Sequence, residues 1–331
     1  MTELRFALIG CGGMGRSEAK VLAQVPEARL VAVCDVQEPA AQAFGNEMGV
    51  PAYSDPAVVL GSSDIGAVIV ATPNGLHTQL VLDAAAAGKH IFCEKPMAFT
   101  VAECDRMIAA AEQHGVRLMV GQVLWLLPFY SRIVELFDSG LLGKPVAAQV
   151  TRTGWFGDPI APYRLRKATT GGQLYDVTVH EIDLLHHLCG PAKSVLAVMS
   201  RSVVQNIDYE DTVQLQIRYQ SGAMASIFES LAAPLGYTGG HIVAERGSLV
   251  YDTRQRQVSY RLAGEGQSAV TETVNERERE NGYLRELRSF TEWVLHGKEP
   301  LMTAREGRAA IAVVEAAYQS AQSGQPVEVV A

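Results

Sequence analysis

The chain has 331 residues, 48% hydrophobic and 19% charged, with a formal net charge of −8. That is the composition of a packed globular protein with room for two domains, and it excludes long disorder. The acidic balance excludes a nucleic-acid or anionic-membrane partner, because phosphate-rich surfaces require a basic footprint.

Strand-like and helix-like stretches alternate from Leu4 to about Val120. Short apolar runs at Phe6–Ile9, Leu30–Cys34, Ala67–Ala71, His90–Cys93 and Leu118–Val120 read as strands. Helical spacing or alanine richness marks the stretches near Gly13–Gln24, Pro39–Met48, His77–Ala87 and Thr100–His114. Strand–helix–strand alternation predicts a parallel sheet covered by helices on both faces. The pattern changes after Gly121. One helix over Pro128–Ser139 leads to strands without intervening helices. Asp211–Tyr219 alternates strictly, and further strands are expected at Ala223–Ser230, His241–Ala244, Ser248–Tyr251 and Gln257–Leu262. One helix, about Gly172–Leu188, interrupts this set, and helical periodicity returns over Tyr283–His296 and Arg305–Gln322, with Gly324 as a C-cap. The expected architecture is an α/β Rossmann domain over residues 1–121, then an α+β domain over 122–331 with a large, mostly antiparallel open sheet.

Five scattered cysteines without a CxxC pair read as buried small hydrophobes in a reducing compartment. No apolar run approaches the ~18 residues that would span a bilayer, and no signal-peptide pattern opens the chain. A soluble cytoplasmic protein is the expectation.

The chemistry-bearing residues cluster at the ends of the expected parallel strands. "ALIGCGGMG" sets Gly10, Gly12 and Gly15 as G-x-G-x-x-G after a strand and at the mouth of a helix, with Gly13 and Met14 inside the turn. This pattern allows a tight turn, close backbone approach to a pyrophosphate, and a helix N-terminus aimed at it. Alone the motif is weak. Asp35 lies twenty residues past Gly15 at the end of the second strand, where a carboxylate takes both ribose hydroxyls and repels a 2′-phosphate. NAD is therefore expected over NADP. The remaining strand ends carry Thr72-Pro73-Asn74, Glu94-Lys95-Pro96 and Gln122. Ligands of open parallel sheets sit at this edge.

Lys95, in the rigid turn "CEKP", is expected near the nicotinamide and suited to acid–base work. Its bland alternative is a solvated loop lysine. Asp176 and His180, four apart on one helix, follow Gly171-Gly172 and suit a histidine oriented by a carboxylate. The same face continues to Asp183 and His187. A metal site on this face is weighed and set aside, since one helix rarely supplies a whole coordination shell.

The glycine fingerprint with Asp35, then "TPNGLHTQLVLDAAAAGKHIFCEKPM", then "GGQLYDVTVHEIDLLHHLCG", closely resembles the Gfo/Idh/MocA family of glucose–fructose oxidoreductases and inositol dehydrogenases. The resemblance covers nearly the whole chain. It implies NAD(P)-linked oxidation of a sugar or polyol hydroxyl, or the reverse. It implies that Lys95 contacts nicotinamide ribose and substrate, and that Asp176 and His180 form the substrate-binding and catalytic pair. It also sets Thr72, Asn74, His77, Glu94 and Gln122 around the cofactor, often a cis Lys95–Pro96 bond, and a homodimer or homotetramer joined through the exposed sheet face. There are departures. Many relatives carry an Arg-Phe pair in a stretch like "HxxRF" where "GQVLWLLPFY" has Trp125 and Leu126, so substrate preference does not transfer. Trp155, Tyr163 and Arg164 in "GWFGDPIAPYRLRK" are candidate substrate contacts, although aromatic rings equally fill cores. Two other readings stay open: glycoside hydrolysis through transient oxidation by retained NAD, and a sensor of NAD or sugar without catalysis.

Overall fold

The computed structural model describes residues 3–156, 161–264 and 266–330. The chain forms two compact units. One runs to Val123 and takes in Asn281–Arg308; the other comprises Leu124–Glu280 and the chain from Ala309 onward.

The first unit is built on six parallel strands: β1 (Leu4–Ile9), β2 (Ala28–Cys34), β3 (Ala52–Tyr53), β4 (Ala67–Val70), β5 (His90–Glu94) and β6 (Leu118–Gly121). Their order is β3-β2-β1-β4-β5-β6, the doubly wound arrangement whose switch point lies between β1 and β4. β1, β4 and β5 are apolar along their length because both faces are covered; Leu8, Ile69 and Phe92 are fully buried. The crossovers include α1 (Gly13–Leu22), α2 (Glu38–Met48), α3 (Pro56–Gly61), α4 (His77–Ala86) and α5 (Val101–Gln113). Thr100 caps α5 by accepting a hydrogen bond from the Glu103 N–H, while the Glu103 carboxylate accepts from the Phe99 N–H one residue before the cap. The short strand β3 and helix α3 have too few residues to give a periodic signal, and the sequence reading passed over both.

The second unit holds α6 (Pro128–Asp138) and a nine-stranded sheet: β7 (Pro145–Trp155), β8 (Ala192–Ser200), β9 (Thr212–Tyr219), β10 (Met224–Ser230), β11 (Ala232–Ala244), β12 (Gly247–Asp252), β13 (Gln257–Leu262), β14 (Val270–Thr273) and β15 (Val327–Glu328). Their order is β14-β13-β12-β11-β7-β10-β9-β8-β15, antiparallel throughout except where β10 runs parallel to β7. On β9, Val213, Leu215, Ile217 and Tyr219 are buried while Gln214, Gln216 and Arg218 are exposed, so the alternation marks the covered face. The longest strand, β11, extends well beyond the expected His241–Ala244. Pro234 and Gly236, followed by Gly239 and Gly240, give the part before His241 the composition of a loop, and a register shift between Ala232 and Tyr237 accommodates it.

Two short helices, α7 (Lys167–Thr170) and α8 (Val179–Cys189), flank a π-helical turn at Leu174–Thr178. The helix expected from about Gly172 is present, helical without a gap from 173 to Cys189, with the π turn in its first part. Gly171 and Gly172 both have positive φ, +84° and +104°, which ends α7 and starts the next segment. In the first unit α9 (Gly282–His296) lays Phe290 between Phe6 and Phe92, at 6.0 and 5.9 Å between ring centroids. Next in sequence comes α10 (Ala304–Ser323), whose residues from Ala309 onward belong to the second unit. No helix among the described residues is long and apolar enough to cross a membrane.

A Cβ at Gly172 would lie 2.4 Å from Tyr318 Oη and 2.9 Å from Glu210 Oε1. Gly172→Ala is expected to destabilise the protein by about 2–4 kcal/mol, combining positive φ with a buried clash. A thermal melt showing a fall in Tm of several degrees checks this.

Candidate active site

The glycine turn is shaped by what a side chain would hit. At Gly10 (φ +104°) a Cβ would lie 2.4 Å from the Ala71 carbonyl oxygen, so β1 and β4 close together only over a bare backbone. At Gly15 it would lie 2.0 Å from Gly10 O, which fixes how near α1 approaches β1. Gly12 and Gly13 have nothing within 4 Å of that position. They present open backbone at the start of α1, with Met14 partly exposed beside them. Asp35 follows β2. Its Oδ2 accepts from Cys11 N at 2.8 Å and its Oδ1 from Gln37 N at 2.9 Å, so the carboxylate is held against the glycine turn.

The next strand ends are joined by one imidazole. His77 is fully buried, with Nδ1 2.9 Å from Pro96 O and Nε2 3.0 Å from Thr72 O. Burial holds its pKa below the usual histidine range, against the pull of the two carbonyls. A neutral ring donates one N–H, and both nitrogens face backbone carbonyls. His77 therefore braces two turns and presents no ring nitrogen to a ligand. Asn74, in the 3₁₀ turn that follows, is buried at 8% exposure. Thr72 Oγ1 and both amide atoms of Gln122, itself 1% exposed, are buried without a hydrogen-bond partner among the described residues. Lys95 is half-buried directly after β5, its N–H donating to Glu94 Oε2 at 3.2 Å, and the Lys95–Pro96 peptide is cis.

Asp176 and His180 lie in the second unit, Asp176 inside the π turn and His180 on the first turn of α8. A π turn re-aims side chains relative to a regular helix, which residue spacing alone does not reveal. Arg164 donates to Asp176 Oδ2 from Nε at 2.7 Å and Nη2 at 2.5 Å, and its guanidinium lies 5.4 Å from the Phe156 ring centre. Tyr209 Oη donates to Arg164 O at 2.6 Å, packing this segment onto a small core that includes Val177, Ile207 and Leu231. Helix α8 is tied to the sheet beneath it: Arg152 Nη1 donates to Glu181 Oε1 at 3.0 Å, and Thr178 Oγ1 donates to Glu229 Oε2 at 2.6 Å. Burial, and then the neighbouring Glu181, hold the Glu229 carboxyl well above the usual carboxylate range.

Trp125 is buried, stacked on His187 at 4.2 Å and 16°. Trp155 and Tyr163 are exposed at 43% and 42%. The segment Gly157–Ile160 of the same candidate stretch lies outside the described residues. Asp183 is buried on α8. Among the described residues no group of three or more His, Cys, Asp or Glu side chains is placed to hold a metal ion.

Among the buried polar residues that the sequence does not single out are Gln173 and Glu18. Gln173, beside the Gly-Gly pair, is fully buried with neither amide atom paired among the described residues. Glu18 is fully buried on α1. Its position was legible, because the buried face of α1 runs through Gly15, Glu18, Ala19 and Leu22, and a carboxylate at a core position is a signal.

The family model described as an oxidoreductase family, NAD-binding Rossmann fold, matches residues 4–122, and its C-terminal alpha/beta domain matches residues 134–329. The chain belongs to the Gfo/Idh/MocA oxidoreductase family. Its relatives include the myo-inositol 2-dehydrogenase of Thermotoga maritima, 29% identical over 98% of each chain. The scyllo-inositol 2-dehydrogenase (NAD(+)) of Bacillus subtilis is 28% identical over 98% of this chain and 96% of its own. Among solved structures, levoglucosan dehydrogenase in complex with NADH and levoglucosan matches with a TM-score of 0.90, over 99% of this chain and 100% of that one. At 23% identity that is a likeness of fold.

The first unit of this oxidoreductase fits NAD. Gly12 and Gly13 leave backbone N–H groups open at a helix N-terminus, Asp35 is a fixed carboxylate that could accept from ribose hydroxyls, and Thr72 and Gln122 hold buried polar atoms without partners among the described residues. A 2′-phosphate would set a dianion against Asp35, and like charges at contact distance are costly even in a polar setting. NADP+ is expected to bind at least about 10-fold more weakly than NAD+ in a fluorescence titration; tighter NADP+ binding would contradict this role of Asp35.

Proposed function

We propose that the protein is an NAD-dependent dehydrogenase acting on a ring hydroxyl of a sugar, a polyol such as an inositol, or a related cyclic substrate. The observation that carries this reading is the single sheet edge on which the Gly12–Gly13 turn, Asp35, Thr72, Lys95 and Gln122 all follow parallel strands. The inositol and sugar dehydrogenases among its relatives support the substrate class. NAD, when bound, supplies the hydride acceptor. The first unit, to Val123 with Asn281–Arg308, is assigned to the dinucleotide, and Leu124–Glu280 with the chain from Ala309 onward to substrate binding and oligomer formation.

His180 accepts the proton of the reacting hydroxyl, and Lys95 hydrogen-bonds the same oxygen and stabilises its developing negative charge. Asp176 positions a neighbouring substrate hydroxyl or His180. Its ion pair with Arg164 supports a role as a fixed acceptor. Thr72, Asn74, Glu94 and Gln122 surround the cofactor. Trp125, Trp155, Tyr163 and Arg164 are assigned to the substrate side.

We also propose that the enzyme works in the cytoplasm as a homodimer or homotetramer joined through the outer face of the nine-stranded sheet. Partly exposed Val198, Met224, Phe228 and Val250 on that sheet support the interface, and five free, buried cysteines suit a reducing compartment.

Absorbance of NADH, read with NAD+ over a panel of inositols, hexoses and uronates, tests the function. Turnover of at least one polyol or sugar is expected. Bound NAD+ with no NADH from any member would point to a sensor, and glycoside cleavage without net NADH to a hydrolase. Lys95→Ala and His180→Ala are each expected to lower kcat by roughly 10²–10⁴. Unchanged kcat in both would remove these assignments.

A further inference from the structure

We propose that Glu18 and Glu94 share a single proton, and that this acid–carboxylate pair positions the turn that carries Lys95.

Glu18 stands on the first turns of α1, three residues after Gly15, and its side chain is fully buried. Glu94 ends β5 and is 5% exposed. The two carboxyl groups lie within hydrogen-bonding reach of each other. Neither oxygen of Glu18, nor Oε1 of Glu94, has a donor among the described residues. Two ionised carboxylates in that position would be two buried charges of one sign, with three of their four oxygens lacking a hydrogen-bond donor among the described residues. One proton supplies the missing donor: the O–H of Glu18 donates to the Glu94 carboxylate, whose Oε2 also accepts from Lys95 N.

The groups facing the pair, Lys95 apart, are buried acids or neutral groups, while Lys95 pulls Glu94 the other way. From α9 come Glu286, a third fully buried carboxyl group, and the Tyr283 hydroxyl, held up to about 12 by burial and then by Glu94, Glu286 and Glu18. From β5 comes the Cys93 thiol, raised well above its usual value by burial and then by Glu94. Lys95 is the cation that acts on Glu94, and beyond it stands the buried His77, kept neutral by desolvation. Burial lifts the Glu18 carboxyl well above the carboxylate range and pushes Glu94 up to about 7. Because the two sites are coupled, they lose protons as a pair. The pair passes from two protons to one around pH 7, and above that it keeps one until Glu18 ionises. At higher pH two like charges repel, and Glu94 leaves the Lys95 N–H.

The sign follows from linkage. A carboxyl group whose pKa is raised by folding contributes fully below the ordinary carboxylate range, and that contribution is lost as pH rises through the folded value. Glu18→Gln keeps a hydrogen-bond donor without a proton to lose. It should therefore gain Tm over wild type as pH rises. Glu18 is a positioning residue. It acts on the cofactor only through Glu94 and the Lys95 turn, so the proposal rests on the NAD-binding reading.

Infrared spectra of the full-length protein at neutral pH, wild type minus Glu18→Gln, together with NADH titrations from about pH 6 to about pH 9, test it. A protonated-carboxyl C=O band present in wild type and missing from the variant is expected. NADH affinity should fall roughly 10-fold with rising pH in wild type and stay nearly flat in Glu18→Gln. Absence of the band from the difference spectrum, or the same NADH pH profile in both proteins, overturns the proposal. If Glu18→Gln fails to fold, Glu18→Met serves the same subtraction. Failure of wild type to bind NADH at neutral pH would instead refute the cofactor reading.

Discussion

At Gly10 the chain leaves β1 with φ at +104°, and the space for a side chain is already filled by the Ala71 carbonyl, 2.4 Å from where a Cβ would sit. This contact joins β1 to β4 at the switch point of the sheet, where a doubly wound fold opens its crevice. The rest of the first unit's chemistry is arranged around that closure. Gly15 lets α1 come down onto Gly10, and Asp35 reaches the Cys11 N–H from β2. His77 then links the ends of β4 and β5 through Thr72 O and Pro96 O, which brings Lys95 onto the same edge. The strands beneath are apolar and buried on both faces, so polar groups can gather only where the strands stop.

The second unit rests on a different device. The helix carrying His180 is anchored from below by buried polar side chains, with Glu181 ion-paired to Arg152 of β7 and the Thr178 hydroxyl donating to Glu229 of β10. Breaking one partner of such a buried set leaves an uncompensated charge, so these groups specify where the helix sits more than they add net stability. Above them, Arg164 closes on Asp176, and Gly171-Gly172 release the backbone into a π turn.

Much of this was legible in the sequence, and the failures have physical reasons. The five apolar runs of the first unit and the alternation of Asp211–Tyr219 found their strands, because each lies against a core that enforces one period. Strand β7 was missed. It runs through Gln149, Thr151, Arg152 and Thr153, and its place is set by pairing with β10 and β11 and by the Arg152–Glu181 ion pair, not by an apolar face. The start of β11 was hidden by its glycines and proline, where Gly239 and Gly240 make room for the Tyr237 and Tyr251 rings. The strand-end residues Asp35, Thr72, Lys95 and Gln122 could be listed from the sequence alone. The brace formed by His77, the π turn under Asp176 and the pairing of Glu18 with Glu94 depend on contacts distant in sequence, and no spacing rule encodes them.

The central claim is that the carboxyl ends of β1, β2, β4 and β5 together form the NAD site. Backbone amide hydrogen exchange, with and without saturating NADH, tests it most directly. Slowed exchange is expected in peptides covering Cys11–Arg16, Asp35–Gln37, Thr72–Leu76 and Glu94–Met97. NADH binding that leaves these segments unprotected would contradict it.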